Sequence, residues 1–205
     1  MTVGYIGASG LMGHGMAKNL IAKGQKLAIT VHKQRDRVKD LLDAGATLAD
    51  NAAALGASCD IVLICVTGSP QVEAVVAGPE GLLSKPKAGL IIVDCSTSEP
   101  HSTTHLRELA HSKGVVFVDA PLARSPVEAE AGRLNIMVGA TQATFAKIEP
   151  VLKCCAENVF HVGEPGGPSF RPAGTTPRQT THAAHRPPER PRHRPSRLPR
   201  DRAGT

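Results

Sequence analysis

Three glycines near the amino terminus have the types and spacing of a phosphate-binding turn. They are Gly7, Gly10 and Gly13, between the apolar run Val3–Ile6 and the amphipathic stretch Leu11–Ala22. A glycine turn between a strand and a helix lets backbone N–H groups and the helix dipole stabilise a pyrophosphate. The spacing GxxGxxG is one residue longer than GxGxxG, and glycines alone also make ordinary tight turns. Their position between a strand and a helix favours a nucleotide site.

The end of the second apolar run indicates which dinucleotide the turn would hold. Domains that bind NAD place an acid there, hydrogen-bonded to the ribose 2′-hydroxyl. Here Val31 is followed by His32, Lys33 and Arg35, and no carboxylate appears before Asp36. Lys33 and Arg35 can pair with a 2′-phosphate, although basic residues at a strand exit are often only a solvated loop. The sequence therefore favours NADP over NAD, with His32, Lys33 and Arg35 beside the adenosine ribose.

The chain up to residue 163 alternates short apolar runs, rich in β-branched residues, with stretches that carry apolar residues at helical spacing. This alternation predicts a parallel sheet with helices on both faces, joined by right-handed crossovers. We therefore expect an α/β fold, a doubly wound and mostly parallel sheet of the Rossmann type. The expected strands are Val3–Ile6, Leu27–His32, Asp60–Val66, Gly89–Asp94, Val115–Asp119, Arg133–Val138 and Asn158–Val162. The expected helices are Leu11–Ala22, Arg35–Ala44, Gln71–Val76, His101–Ser112 and Gln142–Cys154.

The composition changes abruptly at residue 164. Residues 164–205 contain nine prolines, nine arginines and three acids. The whole chain has 24 basic and 18 acidic residues, so 15 of each remain before this point and the tail supplies the entire net charge of +6. Frequent prolines oppose helix and sheet, and few apolar residues remain to offset the ordering entropy. We expect a folded domain over residues 1–163 and a disordered Pro/Arg-rich tail over residues 164–205.

The chain shows no sequence feature of secretion or membrane insertion. Met1–Ile6 leads directly into the glycine turn without the basic and long apolar regions of a signal peptide. No apolar run approaches the ~18 residues of a spanning helix. The five cysteines are an odd number without CxxC spacing, which indicates reduced thiols. We expect a soluble, cytoplasmic protein.

Four ordered segments carry a more specific signal than the glycines alone. Gly13–Leu20 is similar to the pattern MGxxMAxNL, and Asp94–Pro100 to DxSTxxP. Asp119–Pro121, continued to Met137–Gly139, is similar to DAPVSGG…GAxxGTLxxMVGG, and Cys65–Pro70 is a strand end that leads into a loop. Together they resemble the β-hydroxyacid dehydrogenases, which include 3-hydroxyisobutyrate dehydrogenase, tartronate semialdehyde reductase and, more distantly, 6-phosphogluconate dehydrogenase. The resemblance covers residues 1–163.

This resemblance implies the NAD(P)-binding domain of an oxidoreductase that transfers hydride between a nicotinamide and a small hydroxyacid. It places the loop after Cys65 beneath the nicotinamide ribose and Thr97 against the cofactor. Each residue also has a purely structural interpretation, since Thr97 can cap a helix and Met12 can belong to the core. Besides the three basic residues above, the implied cofactor-binding residues are Gly7, Ser9, Gly10, Leu11, Met12, Gly13, Val66, Thr67 and Thr97.

The implied substrate loop departs from the family pattern. Ala123, Arg124 and Ser125 stand where the family has Ser-Gly-Gly for the substrate's carboxylate. A hydroxyl and two glycines are lost there, and a guanidinium appears. Arg124 can hold a carboxylate bidentately or remain an exposed loop residue, and both alternatives stay open. Either way, we expect a substrate other than those of members with an intact Ser-Gly-Gly.

The family's catalytic lysine has no counterpart in this sequence. In the family it lies in GxxxKxxNN on a helix after the strand that corresponds to Asn158–Val162. By count its position falls near Pro172, beside Arg171, and no lysine follows Lys153. Proline has no acid–base group, and arginine stays protonated near neutral pH. We therefore assign no catalytic residue and expect an impaired chain that lacks the family's helical second half. We hypothesise that a reading-frame shift produced the tail.

Three other classes of function share single features with this sequence. Short-chain dehydrogenases also open with GxxGxxG but need a YxxxK pair, and the only tyrosine is Tyr5 in the first strand. The arginines of the tail can contact nucleic-acid phosphates, which is the basis for the alternative of a non-enzymatic nucleic-acid-binding protein. The tail has, however, a single aromatic residue and no recognisable binding module. A metal site at His182, His185 and His193 has no fixed scaffold. We expect a nicotinamide dinucleotide as partner, a hydroxyacid only if the chain is completed, and neither membrane nor nucleic acid.

Overall fold

The computed structural model describes residues 1–31 and 35–164. His32 and Lys33 lie outside the described residues, so their placement beside a ribose stays a prediction. The tail beyond Glu164 also lies outside the described residues. The position of the family lysine near Pro172 and the metal site at the three tail histidines therefore stay predictions. No helix of the described ranges is long and apolar enough to cross a membrane.

A six-stranded sheet in which all neighbouring strands are parallel forms the centre of the fold. Its strand order is β3-β2-β1-β4-β5-β6. The order runs outward from β1 to β3 and then resumes with β4 on the other side of β1, so the carboxyl ends of β1 and β4 flank the point of reversal. The strands are β1 (Thr2–Ile6), β2 (Lys26–Thr30), β3 (Thr47–Leu48), β4 (Ile61–Ile64), β5 (Ile91–Asp94) and β6 (Val116–Asp119).

Helices cover both faces of this sheet, and the expected doubly wound fold is confirmed. Ile61 and Leu63 of β4 face one apolar core, with α1, α2, α6 and α7, whereas Val62 and Ile64 face the other, with α3, α4 and α5. Because both faces are covered, β4 is buried at every position and its sequence is continuously apolar. The helices are α1 (Leu11–Ala22), α2 (Lys39–Asp43), α3 (Ala52–Ser58), α4 (Ser69–Ala77), α5 (Pro100–Ser112), α6 (Pro126–Glu130) and α7 (Gln142–Leu152).

A second, three-stranded sheet continues from β6. Its strands are β7 (Leu122–Ala123), β8 (Leu134–Val138) and β9 (Ala156–His161), with β7 antiparallel and β9 parallel to β8. One antiparallel bridge between Asp119 and Gly139 joins it to the end of β6. The backbone stays tied to this sheet as far as Gly163, whose carbonyl accepts the Ala140 N–H at 2.9 Å.

The elements that the sequence did not predict are short. Strands β3 and β7 have two residues each, and α6 has five. Helix α3 is a run of small residues, so it lacks the polar face that marks an amphipathic helix. The expected helix Arg35–Ala44 is divided into a 3₁₀ turn, Arg35–Val38, and α2. Short elements such as these are selected by tertiary packing, because a few residues carry too little periodicity to identify them.

Candidate cofactor site

The turn between β1 and α1 requires glycine at two positions. Gly7 has φ +102°, in the left-handed region, and a β carbon there would overlap the Cys65 carbonyl oxygen. A β carbon on Gly13 would overlap the carbonyl oxygen of Gly7 itself. The Gly10 N–H closes the turn on the Gly7 carbonyl at 3.0 Å. Because Gly7 and Gly13 have no side chains, the first turn of α1 packs directly against the ends of β1 and β4.

The amino terminus of α1 is built to receive an anion. Gly10 is its N-cap residue, and no side chain caps the helix or places an acid in its first turn. Gly10 and Leu11 are exposed, and Leu11 retains 82% of its accessible surface. The first N–H groups of a helix have no partner within the helix, and the dipole makes this end positive. An exposed, uncapped helix start behind a glycine turn fits a phosphate group.

A cleft of about 710 Å³ opens beside this turn. Gly7, Ser9 and Val66, all implicated by the sequence, lie on its wall with the last residues of β2. The cleft therefore occupies the point at which the strand order reverses, where open α/β sheets bind ligands. Its lining residues are Ile6, Gly7, Ser9, Thr30, Val31, Asp50, Asn51, Ala52, Val66, Gln71, Ala74, Val75, Pro79 and Glu80.

Two parts of this wall were missed by sequence reasoning. One is Asp50–Ala52, before α3, and the other runs from Gln71 on α4 to Glu80. The Asn51 side chain caps α3 by accepting the Ala54 N–H at 2.9 Å, and it donates to the Glu80 carboxylate at 3.3 Å. Asparagine before a run of alanines is a helix-start signal, so α3 was detectable. Its position against the cleft was not.

The other implicated residues do not line the cleft. Met12 is half-buried and packs against the core of α1, and Gly13 is buried beneath the turn. Thr67 and Thr97 are exposed on neighbouring loops, and Arg35 is exposed at the start of the 3₁₀ turn. Their roles toward a cofactor remain predictions.

Two buried carboxyl groups lie side by side near these loops. Asp94 and Asp119 end β5 and β6 and are direct partners in the strand register. Asp94 accepts the Ser96 N–H at 2.9 Å and the Ser98 hydroxyl at 2.7 Å, which counteract the burial that raises its pKa. Burial and the neighbouring Asp94 raise the pKa of Asp119 to about 7, while Arg107 opposes this rise. Asp119 therefore titrates near neutral pH.

The cysteine nearest the cleft is not a nucleophile. Cys65 precedes Val66 and carries a free thiol. Burial raises the pKa of this thiol to about 11, although a hydrogen bond with Tyr5 lowers it in part. Because the thiolate is the reactive form, Cys65 is inert near neutral pH.

The implied substrate loop has structural partners of its own. Arg124 has φ +91°, and its guanidinium donates to the Arg133 carbonyl at 2.7 Å and pairs with Glu157. Ser125 caps α6 in a reciprocal arrangement with Glu128. These residues line a separate cavity of about 600 Å³ that shares no lining residue with the cleft. Ala123 lies in β7. Substrate binding by Ala123, Arg124 and Ser125 stays a prediction.

A glycine turn that opens a helix where a parallel sheet reverses its order defines a Rossmann-type dinucleotide-binding domain. The profile of the NAD binding domain of 6-phosphogluconate dehydrogenase matches residues 2–163. The chain belongs to this family, as its motifs predicted.

The part of this chain that matches its relatives covers only about half of each of them. The chain is 40% identical to 2-(hydroxymethyl)glutarate dehydrogenase of Eubacterium barkeri, covering 80% of this chain and 54% of that protein. It is 32% identical to 3-hydroxyisobutyrate dehydrogenase of Pseudomonas aeruginosa, over 77% and 52%. The solved structure of Psf3 in complex with NADP+ and 2-OPP has a TM-score of 0.74 at 28% identity, over 80% and 58%. The chain thus spans about half the length of the relatives that it matches.

Proposed function

We propose that the folded domain, residues 1–163, holds NADP as part of an oxidoreductase of small hydroxyacids. The observation that carries this proposal is the turn at Gly7 and Gly13, where a β carbon at either position would overlap backbone. Beside it lies an uncapped helix start, and Ser9, just before it, lines the cleft. A pyrophosphate needs this combination of close backbone approach and free N–H groups.

The strand order supports placing the two halves of the cofactor on opposite sides of the turn. β2 lies on one side of β1, and its last residue Thr30 and the following Val31 line the cleft on the adenosine side. β4 lies on the other side, and Val66 after it faces the nicotinamide side. When bound, the nicotinamide supplies or accepts hydride. The residues of this chain orient it and exclude water from one face.

The preference for NADP over NAD rests on charge at the end of β2. Lys33 and Arg35 follow Val31 in the sequence, and a solved relative carries NADP+. Opposing them, the carboxylates of Asp50 and Glu80 line the same cleft, but Glu80 accepts from Asn51. We assign the 2′-phosphate to Lys33 and Arg35.

A fluorescence titration tests both the site and the preference. Purified chain is titrated with NADPH and with NADH, and nicotinamide fluorescence gives the two dissociation constants. We expect tighter binding of NADPH, and Lys33→Ala should weaken NADPH while leaving NADH unchanged. Lys26→Ala, at the opposite end of β2, is the matched control. Tighter binding of NADH would overturn the preference, and binding of neither would overturn the site.

The substrate class is proposed from the relatives. The names 2-(hydroxymethyl)glutarate and 3-hydroxyisobutyrate both describe an acid with a hydroxymethyl group next to the carboxyl-bearing carbon. Oxidation of such a group needs a base that takes the hydroxyl proton as hydride leaves. This sequence has no lysine after Lys153. We therefore propose that the chain binds the cofactor of this reaction without turning it over by itself.

A further inference from the structure

The loops after β4 and β5 are joined by hydrogen bonds through buried serines. We define the β4 loop as residues 65–68 and the β5 loop as residues 95–99. The Val66 N–H donates to the Ser96 hydroxyl oxygen at 3.0 Å. The Glu99 N–H donates to the hydroxyl oxygen of Ser69, the first residue of α4, at 2.7 Å. Both serines are buried, so water does not compete for these bonds.

Asp94 anchors this arrangement at the end of β5. Its side chain is fully buried, and its carboxylate accepts the Ser96 N–H and the Ser98 hydroxyl. Both bonds bend the β5 loop back onto the strand end, and this bend presents the Ser96 hydroxyl to Val66. A buried carboxylate is costly unless it is fully hydrogen-bonded. Satisfied networks of this kind hold backbone in a single arrangement.

The network ends on the wall of the cofactor cleft. Val66 lines the cleft, and the group that Ser96 holds is the backbone N–H of Val66 itself. Thr67 and Thr97 each lie one residue further along and are exposed. A shift of the β5 loop would therefore move the cleft wall on the β4 side. The β2 side, where Thr30 and Val31 lie, is two strands away from β4.

We propose that Asp94 and Ser96 are positioning residues that set the affinity for the nicotinamide half of the cofactor. This inference rests on the proposed function, which assigns the β4 side of the cleft to that half. Asp94 acts through Ser96, and Ser96 acts through the Val66 N–H. Loops that hydrogen bonds already hold in one conformation lose little conformational entropy when the ligand binds. Less of the interaction free energy is then spent on ordering them, and the affinity is higher. The adenosine half gains nothing from the network because it lies beyond β1.

Two ligands separate the halves. NADPH contains both, whereas adenosine 2′,5′-bisphosphate keeps the adenosine and its 2′-phosphate but lacks the nicotinamide and the ribose that carries it. Dissociation constants for each are measured by calorimetry on the full chain, for wild type, Ser96→Ala and the control Ser112→Ala. The Ser112 hydroxyl is exposed and, within the part of the chain that the structure describes, donates to the Leu109 carbonyl at the end of its own helix. We expect Ser96→Ala to weaken the binding of NADPH about tenfold, the scale of one lost buried hydrogen bond, and to change the binding of adenosine 2′,5′-bisphosphate by less than about twofold.

A second variant tests the chain of action from Asp94. Asp94→Asn keeps the shape but replaces one accepting oxygen with a donor, and it should give the same selective loss. The double variant should lose no more than either single one, because both break one path. Exchange of the Val66 amide hydrogen should accelerate in Ser96→Ala and Asp94→Asn and stay unchanged in Ser112→Ala. Additive losses would show that Asp94 does not act through Ser96.

The outcomes distinguish this inference from the proposed function. Wild-type binding of neither ligand would overturn both. Equal loss of the two ligands in Ser96→Ala, or no loss, would overturn the inference alone. If Ser96→Ala does not fold, Ser69→Ala removes the other bond between the same segments, and the same selective loss of NADPH is required of it. Rescue by Ser96→Thr, which restores the hydroxyl, would support positioning.

Discussion

At the scale of single residues, the pair of Asp94 and Asp119 gives the domain an acid–base property of its own. Asp94 has both oxygens hydrogen-bonded, whereas the second oxygen of Asp119 has no partner among the described residues. Asp119 is 3% exposed and faces the charge of Asp94, with Arg107 of α5 the opposing cation. Two adjacent buried carboxylates cannot both ionise cheaply, so Asp119 keeps its proton longest.

This titration predicts how stability changes with pH. The pKa of Asp119 is raised from 3.8 to about 7 in the folded chain, so the unfolded chain releases a proton that the folded chain retains. The contribution of Asp119 to the free energy of unfolding is present below pH 4 and is lost as the pH rises to 7. Asp119→Asn removes this loss. Relative to wild type, the variant should gain up to about 4 kcal/mol between pH 4 and 8, measured by urea denaturation.

Asp60→Asn provides a control of opposite sign. A hydrogen bond from Lys87 lowers the pKa of the half-buried Asp60. Its contribution to folding stability is therefore present at neutral pH and is lost in acid. The relative stability of Asp60→Asn should therefore improve as the pH falls. A pH-independent difference between Asp119→Asn and wild type would contradict the assignment of Asp119.

At the scale of elements, α1 and α6 pack closely through Gly15. A β carbon there would lie 2.6 Å from the backbone carbon of Ala129 and 2.6 Å from the backbone nitrogen of Glu130. The Asn19 amide ties the two helices by donating to the carbonyls of Ala129 and Glu130 at 3.1 and 3.0 Å. The atoms that an added β carbon would meet are backbone atoms, so no flexible side chain can move aside to make room for it. The position therefore requires glycine within a helix.

Gly15→Ala should accordingly be destabilising although alanine is the better helix former. Alanine favours a helix over glycine by about 1 kcal/mol, but overpacking against backbone costs roughly 1–3 kcal/mol. We expect a net loss of up to about 2 kcal/mol in thermal denaturation, with faster amide exchange in α6. Gly24→Ala, where φ is +81° and no atom lies within 4 Å, should leave α6 exchange unchanged. Stabilisation by Gly15→Ala would refute this packing.

The strand-to-helix connection at Arg124 stores backbone strain that its side chain offsets. At φ +91° a non-glycine residue costs about 1–2 kcal/mol. Arg124→Ala keeps the strain and loses the contacts with Arg133 and Glu157, so we expect a loss of about 1 kcal/mol. Arg124→Gly loses the same contacts but relieves the strain. It should be more stable than Arg124→Ala by about 1 kcal/mol in urea denaturation, and equal stability of the two would exclude a strained backbone.

At the scale of the whole molecule, cofactor binding and turnover should be separable. A positioned acid–base group contributes typically 10²–10⁴-fold, and the orientation of the substrate contributes more. We expect the 205-residue chain to bind NADPH and to show negligible nicotinamide absorbance change with NADP and a panel of small 3-hydroxyacids. A full-length relative, such as 3-hydroxyisobutyrate dehydrogenase, serves as the active control. Turnover near one per second would require an acid–base residue other than those considered above.

The tail offers a second test at this scale. Its composition predicts that it contributes little to folding, since it is rich in proline and poor in apolar residues. Deletion of residues 164–205 should leave the thermal midpoint within about 2 °C of the full chain, because a midpoint shift reports lost stabilising contacts. A drop of many degrees would place the domain boundary beyond residue 163.

The sequence by itself determined the class of fold and the location of the phosphate turn. Both follow from local properties. Continuous apolar runs such as Ile61–Ile64 specify strands that are covered on both faces, and alternation with helices leaves the parallel sheet as the arrangement that buries them. The glycines at 7 and 13 were recognisable because their neighbours in sequence are the strand and the helix that they join.

Only the tertiary structure decided which residues meet around that turn. Asn51 and Glu80 reach the cleft because β1, β2 and β4 are adjacent, and Ser96 holds Val66 across 30 positions of sequence. The sequence does not decide whether Arg124 binds a carboxylate ligand or is an exposed loop residue. In the structure it pairs with Glu157, which lies 33 positions away. Periodicity and spacing describe neighbours along a chain. Contacts of this length depend on strand order and side-chain packing, which local patterns do not encode.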